Sequence, residues 1–109
     1  MQMPPFAFET VDWAEQPVET HPGETGEALW QTRHFGPIRV RIVTYSPGYL
    51  ADHWCEKGHV LYCLDGELET ELADGRTVTL TPGCSYQVGD GALAHRSRTR
   101  RGARLFIVD

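Results

Sequence analysis

Apolar and polar residues alternate one by one through most of this chain, which is the pattern of β-strands whose two faces meet different surroundings. Over 38–45, Ile38, Val40 and Ile42 share one face of a predicted strand, and Arg39 and Arg41 share the other. Further strands are predicted at 29–35, 59–64, 67–72, 77–80, 86–88, 95–99 and 103–108, with another between Tyr49 and His59 carrying His53 and Cys55. Turn residues separate them: Pro22-Gly23, Gly36-Pro37, Ser46-Pro47-Gly48, Pro82-Gly83, Gly89-Asp90-Gly91 and Arg101-Gly102. Asp65-Gly66 and Asp74-Gly75 read as hairpin turns. No segment has a capped helical period. Many short strands with frequent turns predict an all-β sandwich or barrel with minimal helix.

Two strands are apolar on both faces. In 59–64, Leu61 and Cys63 oppose Val60, Tyr62 and Leu64; in the last strand, Leu105 and Ile107 oppose Phe106 and Val108. A strand with one wet face would alternate polar with apolar, so these are expected to be covered twice. Residues 1–28 have no sustained periodicity and read as an arm, anchored by Phe6, Phe8, Val11 and Trp13, that packs on the barrel of residues 29–109 or on a partner. The second cover is therefore this arm, a second copy of the chain, or both, and a homodimer is expected.

At 109 residues the chain is long enough for one domain and one core. A net charge of -5 argues against a nucleic-acid partner, which needs a basic surface. The absence of a charged leader or a long apolar run predicts no membrane partner. Three cysteines suggest no disulfide framework, and a cytoplasmic, reducing location is expected. Cys63 and Cys84 are expected to be small core residues.

The chemistry concentrates in His53-Trp54-Cys55-Glu56-Lys57-Gly58-His59. In a strand, His53 and Cys55 would point the same way, and a turn at Lys57-Gly58 could return His59 to them. With His95 arriving from a late strand, the set becomes three neutral imidazoles and one thiolate, donors suited to zinc, then iron or nickel. Glu56 and Trp54 would face away from the ligands, with Trp54 packing in the core or an interface. Asp52 could orient a ligand imidazole.

These residues resemble the motifs of the cupin superfamily. Gly48 opens and Gly66 closes a first motif, with His53 at the first histidine, Cys55 at the second and His59 at the glutamate. Gly83 and His95 frame a second motif in which Asp90 and Ala92 replace the usual proline and glycine. The run Asp52-His53-Trp54-Cys55 is similar to small single-domain cupins named for an Asp-His-Cys-Trp (DHCW) motif. The resemblance implies a jelly-roll barrel, a double-stranded β-helix, with one divalent metal ion inside it. It also implies possible dioxygenase, isomerase or decarboxylase chemistry on a small molecule. Exchanging His for Cys and Glu for His leaves the ligand charge unchanged and makes the site softer. Three functions stay open: a metal-dependent enzyme, a noncatalytic module with a closed structural zinc or a bound small ligand, and an empty barrel used for interaction.

Overall fold

The computed structural model describes residues 2–109, in which antiparallel strands form two facing sheets. In chain order the strands are β1 (Glu19–Pro22), β2 (Glu27–Phe35), β3 (Ile38–Tyr45), β4 (His59–Gly66), β5 (Leu68–Leu72), β6 (Thr77–Leu80), β7 (Ser85–Val88), β8 (His95–Arg98) and β9 (Ala103–Val108). The large sheet runs β1-β2-β3-β9-β4-β7 and the small one β6-β5-β8. Helix is confined to a 3-10 turn at Trp13–Glu15, capped where the Ala14 amide donates to the Asp12 carboxylate. No helix among the described residues is long and apolar enough to cross a membrane.

The core lies between the sheets. Register carries one face continuously across the large sheet: Val43 pairs with Leu105, which pairs with Cys63, and Ile107 pairs with Leu61. These side chains meet Leu68 and Leu80 from the small sheet. Leu61, Leu68 and Leu105 are fully buried, each contributing roughly 2 kcal/mol of hydrophobic stabilisation.

The same register decides which face of β3 points inward. Arg41 pairs with Ile107 and so sits on the inner face with Val43 and Tyr45, while Ile38, Val40 and Ile42 lie on the outer face. The N-terminal arm covers part of that outer face. Trp13 packs edge-on against Phe106 at 6.5 Å, and Phe6 packs on Phe35 at 5.6 Å. Gln31 fastens the arm by donating to the carbonyls of Trp13 and Gln16. Phe8 is no anchor, being 94% exposed. Val60, Tyr62 and Leu64 stand beyond the arm's reach, a row of exposed apolar side chains on the outer face of β4.

Several expectations need correction. Asp65-Gly66 is not a hairpin: β4 pairs with β7 and β9, and β5 with β6 and β8. The dipeptide instead carries the chain from one sheet to the other, after a register shift between Cys63 and Asp65. The return crossing runs through Gly102, and the two are stitched together where Glu67 N–H donates to the Gly102 carbonyl at 3.1 Å. Asp74-Gly75 does form the β5–β6 hairpin. No strand holds His53 and Cys55. Residues 51–58 are bends and irregular chain, in which Cys55 makes only an isolated bridge to His95. Cys63 is buried, but Cys84 is exposed.

Gly66 has φ of 76°, and a Cβ there would collide with the Gly102 carbonyl oxygen. Both the left-handed backbone and the lack of space require glycine. Gly66→Ala is expected to destabilise the fold by more than about 1 kcal/mol in urea titration, because neither chain crossing can yield without moving the other.

Candidate metal centre

Opposite sheets supply the site. His59 begins β4 in the large sheet, His95 begins β8 in the small sheet, and Cys55 is held against β8 by a reciprocal backbone pair with His95. One donor atom from each of Cys55, His59 and His95 lies within 4.8 Å of the others. The two imidazoles meet Nε2 to Nε2 at 3.1 Å.

Hydrogen-bond accounting shows what this meeting requires. His95 is 2% exposed, and its Nδ1 lies 2.9 Å from the Leu93 carbonyl, so Nδ1 carries the proton and Nε2 presents a lone pair. Burial also lowers its pKa, which favours the neutral ring. His59 then has two neutral choices. With its proton on Nε2, it donates to His95 but turns the Nδ1 lone pair toward the Asp109 carboxylate, 3.7 Å away. With its proton on Nδ1, two lone pairs face each other across 3.1 Å unless the Tyr86 phenol, 3.0 Å from Nε2, donates there, and the Nδ1 proton still finds no acceptor within hydrogen-bond reach. At 3.7 Å the Nδ1–Asp109 approach is too long for a hydrogen bond, and this buried nitrogen has no partner. Added positive charge resolves the conflict: a second proton on His59, or a cation between the nitrogens. The Cys55 sulfur as a third converging donor favours the cation, since imidazole and thiolate together are typical of zinc and iron ligation.

The surroundings would hold such ligands in place. Tyr86 Oη lies 3.0 Å from His59 Nε2, and burial pushes its pKa up, so the phenol stays protonated; a cation on Nε2 would take that lone pair and leave the phenol O–H to another acceptor. Asp109 is 1% exposed at its side chain and accepts from Arg39 Nε and Nη2 at 2.9 and 3.0 Å and from Arg41 Nη2 at 3.1 Å. Burial would raise its carboxyl pKa, but His59, Arg39 and Arg41 outweigh that and hold it below the usual range. A carboxylate behind a ligating imidazole orients the ring and raises its basicity.

His53 is placed differently. Its ring is 72% exposed and pairs with Asp52 at 2.7 Å, at the mouth of the cavity and outside the cluster of three. The expected alternation with Cys55 does not operate, because the segment bends here. Glu56 is exposed. Trp54 is 43% exposed, not core, and lies under the Arg96 guanidinium at 5.1 Å. Arg96 also pairs with Glu71 on the outer face of the small sheet. Asp109 and Arg41 were not singled out as site residues from sequence. Asp109 had a signal: it continues the inward alternation of Leu105 and Ile107.

The three donors open onto a cavity of about 130 Å³ between the sheets, lined also by Tyr45, Tyr49, Arg41 and Leu61. A wider groove of about 520 Å³ runs outside the barrel rim past Lys57, Gln87 and Asp90. It reaches His59 and Asp109 but neither Cys55 nor His95, so the inner cavity is the one joined to the full donor set.

No family model matches the sequence, and no curated protein matches it either. Solved structures do. A cupin-superfamily sugar phosphate isomerase from Silicibacter pomeroyi superposes with a TM-score of 0.71 at 16% identity, over 92% of this chain and 74% of that one. The chain has the cupin fold. Ectoine synthase from P. lautus is similar at 25% identity and a TM-score of 0.62, covering 74% of this chain and 62% of its own. Fe(II)-HppE with an alternative substrate reaches a TM-score of 0.76 at 13% identity, covering 94% of this chain and 60% of its own. The chain thus spans less than two thirds of the length of the last two, and what they share with it is the barrel.

Asp109 is the one side-chain carboxylate shared by two guanidiniums, one of them buried. Asp109→Ala would strand Arg41, whose side chain is 7% exposed, without its carboxylate. The expected loss is about 3 kcal/mol of unfolding free energy, measured by chemical denaturation.

Proposed function

We propose that this protein is a metal-dependent enzyme acting on a small molecule inside the barrel, with one divalent ion held by Cys55, His59 and His95. The observation that carries this reading is the convergence of these three donors at the wall of an internal cavity. Zinc is the first choice of ion, with iron or nickel next, because one thiolate and two imidazoles form a borderline-soft set. Catalytic zinc sites keep three protein ligands and an open position, whereas structural sites close with four. With His53 turned to solvent, three protein donors remain, and this favours the catalytic arrangement over a closed structural zinc. A metal so held supplies Lewis acidity toward a bound oxygen or water.

The chain's own groups have definable tasks. His95 is fixed by Leu93 so that Nε2 faces the cavity, and Asp109 stands behind His59. Tyr86, Tyr45 and Tyr49 are phenols whose pKa values burial pushes up, so they serve as hydrogen-bond donors and not as bases. Isomerase, decarboxylase and dioxygenase chemistry all remain compatible with this equipment. The noncatalytic alternative, a closed zinc site, would need His53 to rotate inward as the fourth ligand.

Cys55→Ser and His59→Ala are each expected to reduce zinc retained after desalting by at least about ten-fold, by elemental analysis, with circular dichroism unchanged. His53→Ala is expected to leave occupancy within about two-fold of the parent on the same scale. A matching loss in His53→Ala would support the closed four-ligand site instead.

We also propose that the protein works as a homodimer through the outer face of β4. The support is the row Val60, Tyr62 and Leu64, each close to 40% exposed on a strand whose neighbour β9 is already covered by Trp13. Contiguous apolar surface of this kind marks association sites. Tyr62→Glu is expected to convert the dimer to monomer in sedimentation velocity while keeping the metal; a monomeric parent protein would refute the assignment.

A further inference from the structure

The inner face of β3 places a buried guanidinium in the cavity that the metal chemistry does not use. Arg41 is 6% exposed, and its Cζ lies 4.4 Å from the Trp30 ring centroid. Its Nη2 donates to Asp109 Oδ2, but its buried Nε has no hydrogen-bond partner. A buried guanidinium with an orphaned donor is costly unless an acceptor reaches it.

Charge accounting gives the same answer. Arg39 and Arg41 share a single carboxylate, Asp109. The other titratable groups lining the cavity are Tyr45, Tyr49, Tyr86, Cys55, the histidines and Arg96, and none of them is a second carboxylate. Glu71 is engaged outside the barrel by Arg96 and Arg98, and Glu24 also lies near Arg96. Among the lining side chains, two guanidiniums thus meet one carboxylate, and a donor of Arg41 is left without an acceptor.

Position links this charge to the metal centre. Asp109 Oδ2 lies between Arg41 Nη2 at 3.1 Å and His59 Nδ1 at 3.7 Å, so the guanidinium and the ligating imidazole are within reach of one small molecule. The cavity, about 130 Å³, is close to the ~150 Å³ that accommodates a benzene ring, which limits an occupant to roughly six non-hydrogen atoms.

Building on the metal-pocket reading above, we propose that the substrate is a small carboxylate whose acid group is received by Arg41, with its remaining atoms directed toward the Cys55–His59–His95 donors. A planar guanidinium suits a carboxylate better than an ammonium does, because it offers parallel donors in a fixed fork. The Tyr45 phenol and the Ser97 hydroxyl, in the same lining, offer further donors.

The test compares propionate with propionamide, which has the same shape and no charge, by calorimetric titration into zinc-loaded and metal-free protein. Zinc stoichiometry is measured separately by elemental analysis. Propionate is expected to bind at least about ten-fold tighter than propionamide. Arg41→Lys, which keeps a cation beside Asp109, is expected to erase most of that difference while zinc occupancy stays at the parent level. Equal binding of the two probes, binding of neither, or an unaltered preference in Arg41→Lys would overturn the proposal. Stoichiometric zinc without propionate selectivity removes the carboxylate site and leaves the metal reading standing. Propionate selectivity in protein that retains no zinc upholds the Arg41 site and removes the metal reading.

Discussion

Two imidazole nitrogens facing each other at 3.1 Å, one from each sheet, form the constraint on which the functional account depends. The proton of His95 is committed to a backbone carbonyl, and a carboxylate stands behind His59. Neither neutral tautomer of His59 satisfies both of its nitrogens at once. Positive charge between the rings removes the conflict, and a thiol sulfur lies close enough to share it. The barrel holds this arrangement through ordinary packing. Leu61, next but one to His59, and Ser97, next but one to His95, continue the same inward faces, so β-sheet register alone fixes where both rings point.

The polar interior comes at an energetic cost that a second network offsets. Arg39, Arg41, Asp109 and His59 form a chain of contacts across β3, β9 and β4, at the end of the barrel where the apolar layers stop. Buried ion pairs of this kind contribute little net stability compared with apolar packing, yet removing one member is expensive. Their presence here fits a site in which position and charge matter more than stability. The surplus guanidinium follows from the same geometry, because two arginines meet one carboxylate.

Much of this was legible in the sequence. Alternation and turn residues located most strands, including β3, β6 and β9, and the ligand-rich segment with His95 pointed to a cupin-type barrel with Cys55, His59 and His95 close together inside it. What failed did so for physical reasons. Alternation assigns residues to two faces but does not say which is inside, and on β3 the arginine face turned inward while the isoleucines went under the arm. The His53–Cys55 spacing implied a shared face only if the segment were a strand. It bends instead, leaving His53 paired with Asp52 in solvent. Asp65-Gly66 has hairpin chemistry, yet its glycine conformation serves a crossing between sheets, a distinction that depends on partners remote in sequence.

Cupin-fold neighbours that include an isomerase, a synthase and an iron protein place this chain among barrels that host varied chemistry, so the donor set must carry the functional argument. X-ray absorption at the zinc edge of the reconstituted protein tests that set most directly. The account predicts one sulfur scatterer at about 2.3 Å, two imidazoles, and one light atom from solvent completing the shell. A shell without sulfur, or one made up of solvent oxygens alone, would contradict it.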